Sequence, residues 1–454
     1  MNPNHSKFSQ RIKGIFTEVV RTATSKELLK KHLATPLYQN AYYLMASTAI
    51  TSILGFVSLI IATRFYSTEA VGLSSAIIAA LGLIALFAEL GLGIGLIRFL
   101  PGAGKNSNDM LNACLTISGL ASIAIALIFL VGLDFWSPAL LPVRQNAIFF
   151  SAFVIFAVIT ALQPLVADTF LARRNTKFIL ISNIIAGLSK LALVILFATF
   201  LNNAFGIFTS SGLSTAIALV IAVIWFLPKV QSGYRPIPKI KKEVLNKLGH
   251  YSVGNYIGRI LLQMTPSILP LMVINILGAE MSAYFHVAWA VVSVLLVIPS
   301  SIFNSLFAEG SNDEASLRAN ITKSLKLMLL LLLPATLLIL MIAGKLLLLF
   351  GQTYSDSGAL LLRILALSVI PWGINYLYVS IARVTKNVSG VIKVAGLSTG
   401  FSLGLSYFLM LKMSLAGVGI GYIAGQSIVA IAVVIYLRRG YSFQPQISSM
   451  GVNQ

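Results

Sequence analysis

Lys190, Arg259, Glu89 and Asp168 each stand inside a stretch of sequence that is otherwise apolar. An ionised group withdrawn from water needs a partner, a wet cavity or a task. Asn255, Arg259 and Gln263 are spaced four apart and share one face of a helix, the face expected to line the interior of a bundle. Lys190 lies about twelve residues into one apolar stretch and Arg259 about as far into another, which at 1.5 Å per residue puts both ~18 Å deep. Two readings stand for them: both face a central cavity and hold an anion, or both pair with Glu89 and hold the helices together. Glu89 can change its charge state and so couple to a proton or sodium ion. Asp168 shares that candidacy, against a local ion pair with Arg173 about a turn away. Nothing identifies the ion. The four histidines are scattered without a metal-binding spacing, and Cys114 is the one cysteine, so neither a metal site, a cofactor nor an internal disulfide is expected.

The elements that must position these residues are long apolar helices. The chain of 454 residues is 57% hydrophobic and 10% charged, far from the ~25% charged residues of a soluble domain. Twelve segments are each long enough to cross a bilayer: 41–63, 73–97, 110–132, 146–170, 178–200, 204–227, 250–277, 281–308, 321–343, 357–381, 388–411 and 415–437. The fold class is therefore an all-α, polytopic membrane protein. Its expected parts are a basic tail (1–40), a six-helix bundle (41–228), a basic linker (229–249), a second six-helix bundle (250–437) and a short tail (438–454). Gly91, Gly93 and Gly95 fall inside the second span with no strand before them, so they read as close helix packing rather than as a dinucleotide loop.

The net charge of +20 suggests nucleic acid, but its distribution points elsewhere. Of 33 Lys and Arg residues, 26 fall in the tails and in the turns and adjoining helix ends on the same side of the membrane as the tails. Five (Arg64, Arg144, Lys345, Arg363 and Lys412) fall on the other side. Positive charge is retained on the cytoplasmic side, which places both termini there in a cell membrane. The two halves match at an offset of 211 residues, laying Ser67–Ala70 over Gly278–Met281 and Leu96–Phe99 over Phe307–Gly310. Six helices per half give both halves one orientation and a pseudo-twofold axis along the membrane normal. Apolar residues from Phe8 to Ala23 recur at helical spacing among basic ones, which suits either an amphipathic helix on anionic lipid or a solvated tail.

Short motifs carry a resemblance. Leu54-Gly55-Phe56, the run from Ala62 through Arg64 to Leu73, and Leu96-Ile97-Arg98-Phe99-Leu100-Pro101 resemble the opening of polysaccharide-export flippases. So do Leu277 through Phe285, Pro299, Leu306 to Gly310, Ala416 to Tyr422, and Gln426. These flippases belong to the multidrug/oligosaccharidyl-lipid/polysaccharide exporter superfamily. The resemblance implies a V-shaped pair of six-helix bundles that carries a lipid-linked oligosaccharide, a polysaccharide precursor, from the cytoplasmic to the outer leaflet by alternating access. The partners so implied are membrane lipids, a lipid-linked sugar bearing phosphate or pyrophosphate, and a coupling proton or sodium ion. Lys190, Arg259, Asn255, Gln263 and Arg64 are then the candidates to contact substrate, and arginine can grip phosphate through two parallel hydrogen bonds.

Arg98 and Glu309 occupy matching positions at the cytoplasmic ends of the second and eighth spans. They form a candidate gate, against a reading in which each is a solvated end charge. Pro266 and Pro270 interrupt the seventh span, where a kink offers a moving part. A multidrug or small-molecule antiporter of the same superfamily is the alternative. A membrane glycan polymerase or ligase would need larger outer loops than this chain provides, so the chain is not expected to be an enzyme.

Overall fold

The computed structural model describes residues 36–240, 242–312 and 317–438. The amphipathic pattern of the N-terminal tail and most of the C-terminal tail lie outside them. Among the described residues the elements are α1 (Pro36–Phe65), α2 (Thr68–Ala88), α3 (Leu92–Phe99), α4 (Ser107–Val131), α5 (Ala147–Ala172), α6 (Lys177–Phe200), α7 (Ala204–Ile221), α8 (Lys242–Leu277), α9 (Ala279–Asn312), α10 (Leu317–Leu347), α11 (Gln352–Val384) and α12 (Val388–Arg438). In hydrocarbon a backbone must satisfy its own hydrogen bonds, and the helix does so within one segment. Ser414, at φ 51°, divides α12 into two crossings, 388–413 and 415–438. The second folds back tightly on the first. A Cβ at Gly417, Gly421 or Gly425 would strike the backbone around Leu409, Ser406 or Ser402, and this four-residue stripe of glycines lets the two backbones meet. Counting α2 with α3 and dividing α12 gives twelve crossings, so the described chain starts and ends on one membrane face, the terminal face. The other is the distal face.

Some turns recur at similar spacing. Ser67 caps α2 by accepting the Ala70 N–H, and α2 starts 211 residues before α9. Helices α5 and α11 end alike, with Arg174 and Lys386 in the left-handed region. The next residue's N–H closes back on Phe170 O in one case and on Ala382 O in the other. This is the turn geometry that satisfies the last carbonyls of a helix.

Two stretches depart from the sequence pattern. Helix α8 begins at Lys242 rather than near 250, because no proline follows Pro238 until Pro266 and polar residues extend a helix beyond the membrane as well as apolar ones. The connection between the halves thus shortens to little more than 231–241, and it is pinned to α4. Lys239 pairs with Asp109 at 2.6 Å, Asn112 donates to Arg235 O at 2.8 Å, and Tyr234 is buried. The second span is also not continuous: it breaks between Ala88 and Leu92, where Leu90 (φ 52°) and Gly91 (φ 73°) are both left-handed.

Taking α1–α7 and α8–α12 as two halves, their apolar cores merge only at the distal face. The first half contributes Ala62, Tyr66, Val71, Val194, Ala204 and Ile207 to the large core of the second, all from helix ends on that face. Toward the terminal face the halves keep separate clusters, one around Leu96, Leu111 and Phe170 and one around Val391, Val429 and Val433. Polar contacts tie the same distal end. Arg64 donates to the carbonyls of Leu348 and Leu349 at the end of α10. Asn275 donates to Ser137 Oγ and accepts the Ala139 N–H. Ser282 Oγ donates to Gly72 O, and a Cβ on Gly72 would overlap the Ala279 carbonyl. The distal face is closed.

Candidate functional site

The break between α2 and α3 gathers three of the intramembrane charges. Ending α2 at Ala88 leaves its last carbonyls without helical N–H partners. The Tyr256 hydroxyl, brought by α8 from the other half, donates to two of them, Leu86 O at 3.1 Å and Phe87 O at 2.9 Å. One turn further along α8, Arg259 Nη1 donates to Glu89 Oε1 at 2.6 Å. The Glu89 side chain is 3% exposed and that of Arg259 37% exposed, so the pair is buried on its acidic side and partly exposed on its basic side. Asp168, from α5, completes the cluster. Its Oδ2 is buried and, among the described residues, has no hydrogen-bond partner. A Cβ on Gly93 would strike both Asp168 Oδ2 and Glu89 Oε1, so glycine is what allows the two carboxylates to converge. A left-handed leucine costs about 1–2 kcal/mol, and strain of this kind persists where surrounding contacts impose it.

Lys190 lies elsewhere. It lines a cavity of about 300 Å³ between α1, α2, α6, α7 and α9, together with His286, Thr51, Ser52, Ser74 and Ser75. Ser74 and Ser75 donate their hydroxyl protons back to Val71 O and Gly72 O, while no hydrogen bond occupies Thr51 or Ser52 among the described residues. Lys190 has no ion-pair partner among the described residues, and no carboxylate lines the cavity. Ile78, also on its wall, is eleven residues before Glu89 along α2, about 16 Å at the helical rise. Lys190 and Arg259 are therefore two sites rather than one cationic pair at a common depth. The count from the start of each apolar stretch misled because depth along a helix does not say which neighbours its register brings alongside.

The remaining candidates scatter. Gln263 is exposed on the wall of a second cavity, in the second half. The side chain of Asn255 lies outside the described residues. Arg64 closes the distal face as described. Among the described residues no ion pair joins Arg98 to Glu309. Asp168 does not pair with Arg173, which donates from Nε to Gln231 Oε1 at 2.8 Å. His286 and Tyr256 escaped the sequence reading; Tyr256 was legible only as one residue beyond Asn255 and three before Arg259.

The family model described as "Polysaccharide biosynthesis protein" matches residues 37–308. No curated protein matches the sequence. Among solved structures, the lipid II flippase MurJ in an inward closed conformation superposes with a TM-score of 0.73 at 13% identity, covering 88% of this chain and 87% of that one. An inward-facing multidrug resistance MATE family transporter of the MOP superfamily gives 0.68 at 14% identity, covering 87% and 97%. A MOP superfamily transporter from Pyrococcus furiosus, whose binding pocket is described as reversed in polarity, gives 0.63 at 14% identity, covering 89% and 95%. At these identities the likeness is one of fold.

Proposed function

From its place in the polysaccharide biosynthesis protein family, to which this chain belongs, we propose that it flips a lipid-linked oligosaccharide from the cytoplasmic to the outer leaflet of the cell membrane by alternating access. The observation that carries this reading is the Lys190 cavity: a lysine and a histidine between the halves, unopposed by any lining carboxylate. A phosphate or pyrophosphate linking lipid to sugar suits it, with Lys190 as the charge and the free hydroxyls of Thr51 and Ser52 as donors. A carrier of organic cations would need an acid there, and the acids Glu89 and Asp168 sit instead in the cluster where Arg259 and Tyr256 of α8 clasp the break between α2 and α3. We assign the clasp to gating and ion coupling. The terminal face, rich in Lys and Arg, is then cytoplasmic. With the distal face closed and the cores parted toward the cytoplasm, parting of the clasp would open the Lys190 cavity to loading from the inner leaflet.

The test is flipping of a fluorescent polyprenyl-pyrophosphate oligosaccharide in proteoliposomes, read by accessibility to an external lectin. Lys190→Ala should slow flipping at least tenfold, and Lys190→Arg should retain most of it. Wild-type rates in Lys190→Ala would refute the anionic cargo. A wild-type protein that moves organic cations and no lipid-linked sugar would establish the antiporter.

A further inference from the structure

The second cavity, about 230 Å³, is lined by α8, α9, α11 and both crossings of α12, all of the second half. Its walls hold two kinds of group. Trp372 stacks on Tyr376 with ring centroids 4.9 Å apart and planes at 9°, leaving the other indole face uncovered by that partner. Trp289 stands against Tyr422 edge to face at 5.2 Å. Between these rings are neutral polar side chains held in one orientation. Asn375 Nδ2 donates to both the backbone oxygen and Oε1 of Gln426, at 3.0 and 2.9 Å, and Gln426 Nε2 donates to Ser402 Oγ. Both Asn375 donor hydrogens are thus used, which fixes its Oδ1 as an acceptor. That Oδ1 is buried with no partner among the described residues, and so is the hydroxyl of Ser398. Asn375 is 5% exposed and Ser398 8% exposed, and both line the cavity.

Buried polar atoms without a partner are rare, because leaving one unpaired forfeits the solvation it had in water. Here two of them share a cavity with flat aromatic faces and no charged side chain. A sugar ring has matching chemistry: a C–H face that packs on an aromatic ring and a rim of hydroxyls that each donate and accept. Apolar walls with a few placed polar groups are the usual make-up of a small-molecule site, and this volume, below the ~300–1,000 Å³ of drug-sized pockets, suits a single ring. Ser293 of α9 lines both this cavity and the Lys190 cavity, so the two adjoin.

We propose that the cavity beside Trp372, Asn375 and Ser398 is a binding site for a neutral sugar ring of the cargo, adjoining the phosphate site at Lys190. The proposal rests on the flippase reading and names which part of the cargo the second half holds. The phosphate is held by the first half and the sugar by the second, so a bound cargo spans the halves that must move.

The site is tested apart from transport. The whole protein in nanodiscs is titrated with free glucose, galactose, mannose and N-acetylglucosamine while tryptophan fluorescence is recorded. At least one sugar should quench saturably at millimolar concentration. Ser398→Ala removes an unpartnered hydroxyl, so it should fold as wild type and weaken that sugar about fivefold, the worth of one hydrogen bond. Trp372→Phe should weaken it as well. No saturable response to any of the four sugars, unchanged affinity in Ser398→Ala, or a cavity quenched by tetramethylammonium instead would overturn the proposal. Sugar binding by a protein that does not flip the lipid-linked oligosaccharide would leave this site standing and reject the flippase reading. Flipping without sugar binding would do the reverse.

Discussion

Replacing Glu89 with Gln should loosen the two halves at the terminal face. Glu89 belongs to the broken helix of the first half and Arg259 to α8 of the second, so their 2.6 Å contact must part if the halves swing about the merged distal core. A hydrogen bond to a charged group contributes about 1.5–3 kcal/mol. With Arg259 more than a third exposed, solvent screens part of that, so about 1–2 kcal/mol is assigned to the closed clasp. Glutamine keeps an oxygen that Arg259 can still bond and removes the charge, so most of this amount is lost without leaving an ion buried alone. Since 1.4 kcal/mol is a factor of ten, the ratio of parted to clasped molecules should rise about five- to thirtyfold. Arg259→Ala is the cruder variant. It strands the buried carboxylate, an effect of about 3–5 kcal/mol when the partner is fully buried, and it confounds gating with folding.

The assay is electron–electron resonance between spin labels on cysteines at Lys105 and Lys393, which are exposed and lie in different halves toward the terminal face, in a Cys114→Ser background. Glu89→Gln should add population at longer distance. The reasoning fails if the distribution in Glu89→Gln matches wild type, because the pair would then not oppose opening. Asp168→Asn separates the roles of the two acids. Asp168 holds no hydrogen bond at Oδ2 in the clasped state, so its amide variant should leave the distances unchanged and alter only the pH dependence of flipping.

At the distal face, Gly72→Ala places a methyl on the Ala279 carbonyl. Overpacking of this kind costs about 1–3 kcal/mol, and it should raise maleimide labelling of a cysteine at Ala290, on the cavity wall, from the distal side; unchanged labelling would show that α2 and α9 do not seal that face. Cysteines at Asn202 and Asp356 should label from outside intact cells and one at Ser232 only after permeabilisation, all three positions being exposed; labelling at Ser232 from outside would reverse the assigned orientation.

Hydropathy and charge made the crossings legible because each is a local property of about twenty consecutive residues. The starts of α2 and α9 were legible for the same reason, since Ser67 and Gly278 punctuate the chain just before them. The break after Ala88 was written in the sequence as Gly91, a residue that ends helices by turning left-handed. It was obscured by Gly93 and Gly95, which together with Gly91 read as a packing stripe. Gly93 proves to make room for two carboxylates, a distinction that depends on what α5 places opposite it. Pairing was the least legible level. Whether Arg259 meets Glu89 or faces Lys190 depends on the register at which α8 crosses α2, and periodicity along one helix does not encode it.

That register explains why the broken helix and the clasp occur together. An unbroken second helix would bond its own carbonyls at Leu86 and Phe87 and give Tyr256 nothing to accept its proton. By breaking, the helix offers the other half two carbonyls and a carboxylate within one turn, all on the side where the apolar cores have parted. Apolar packing is non-directional and grows with area, so a merged core at this face would resist every opening. Hydrogen bonds are short-ranged and can be exchanged with water entering a cleft at small net change. A contact meant to form and break once per cycle is better built from the second kind than the first. The division seen here, apolar fusion at the distal face and three polar bonds at the terminal side, predicts which end yields first. Glu89→Gln combined with Tyr256→Phe removes the polar bonds and almost no apolar area, and it should open the terminal side further than either change alone while leaving thermal stability within about 1–2 kcal/mol of wild type. Loss of folding in that double variant would mean that the clasp is part of the structural core and not a gate.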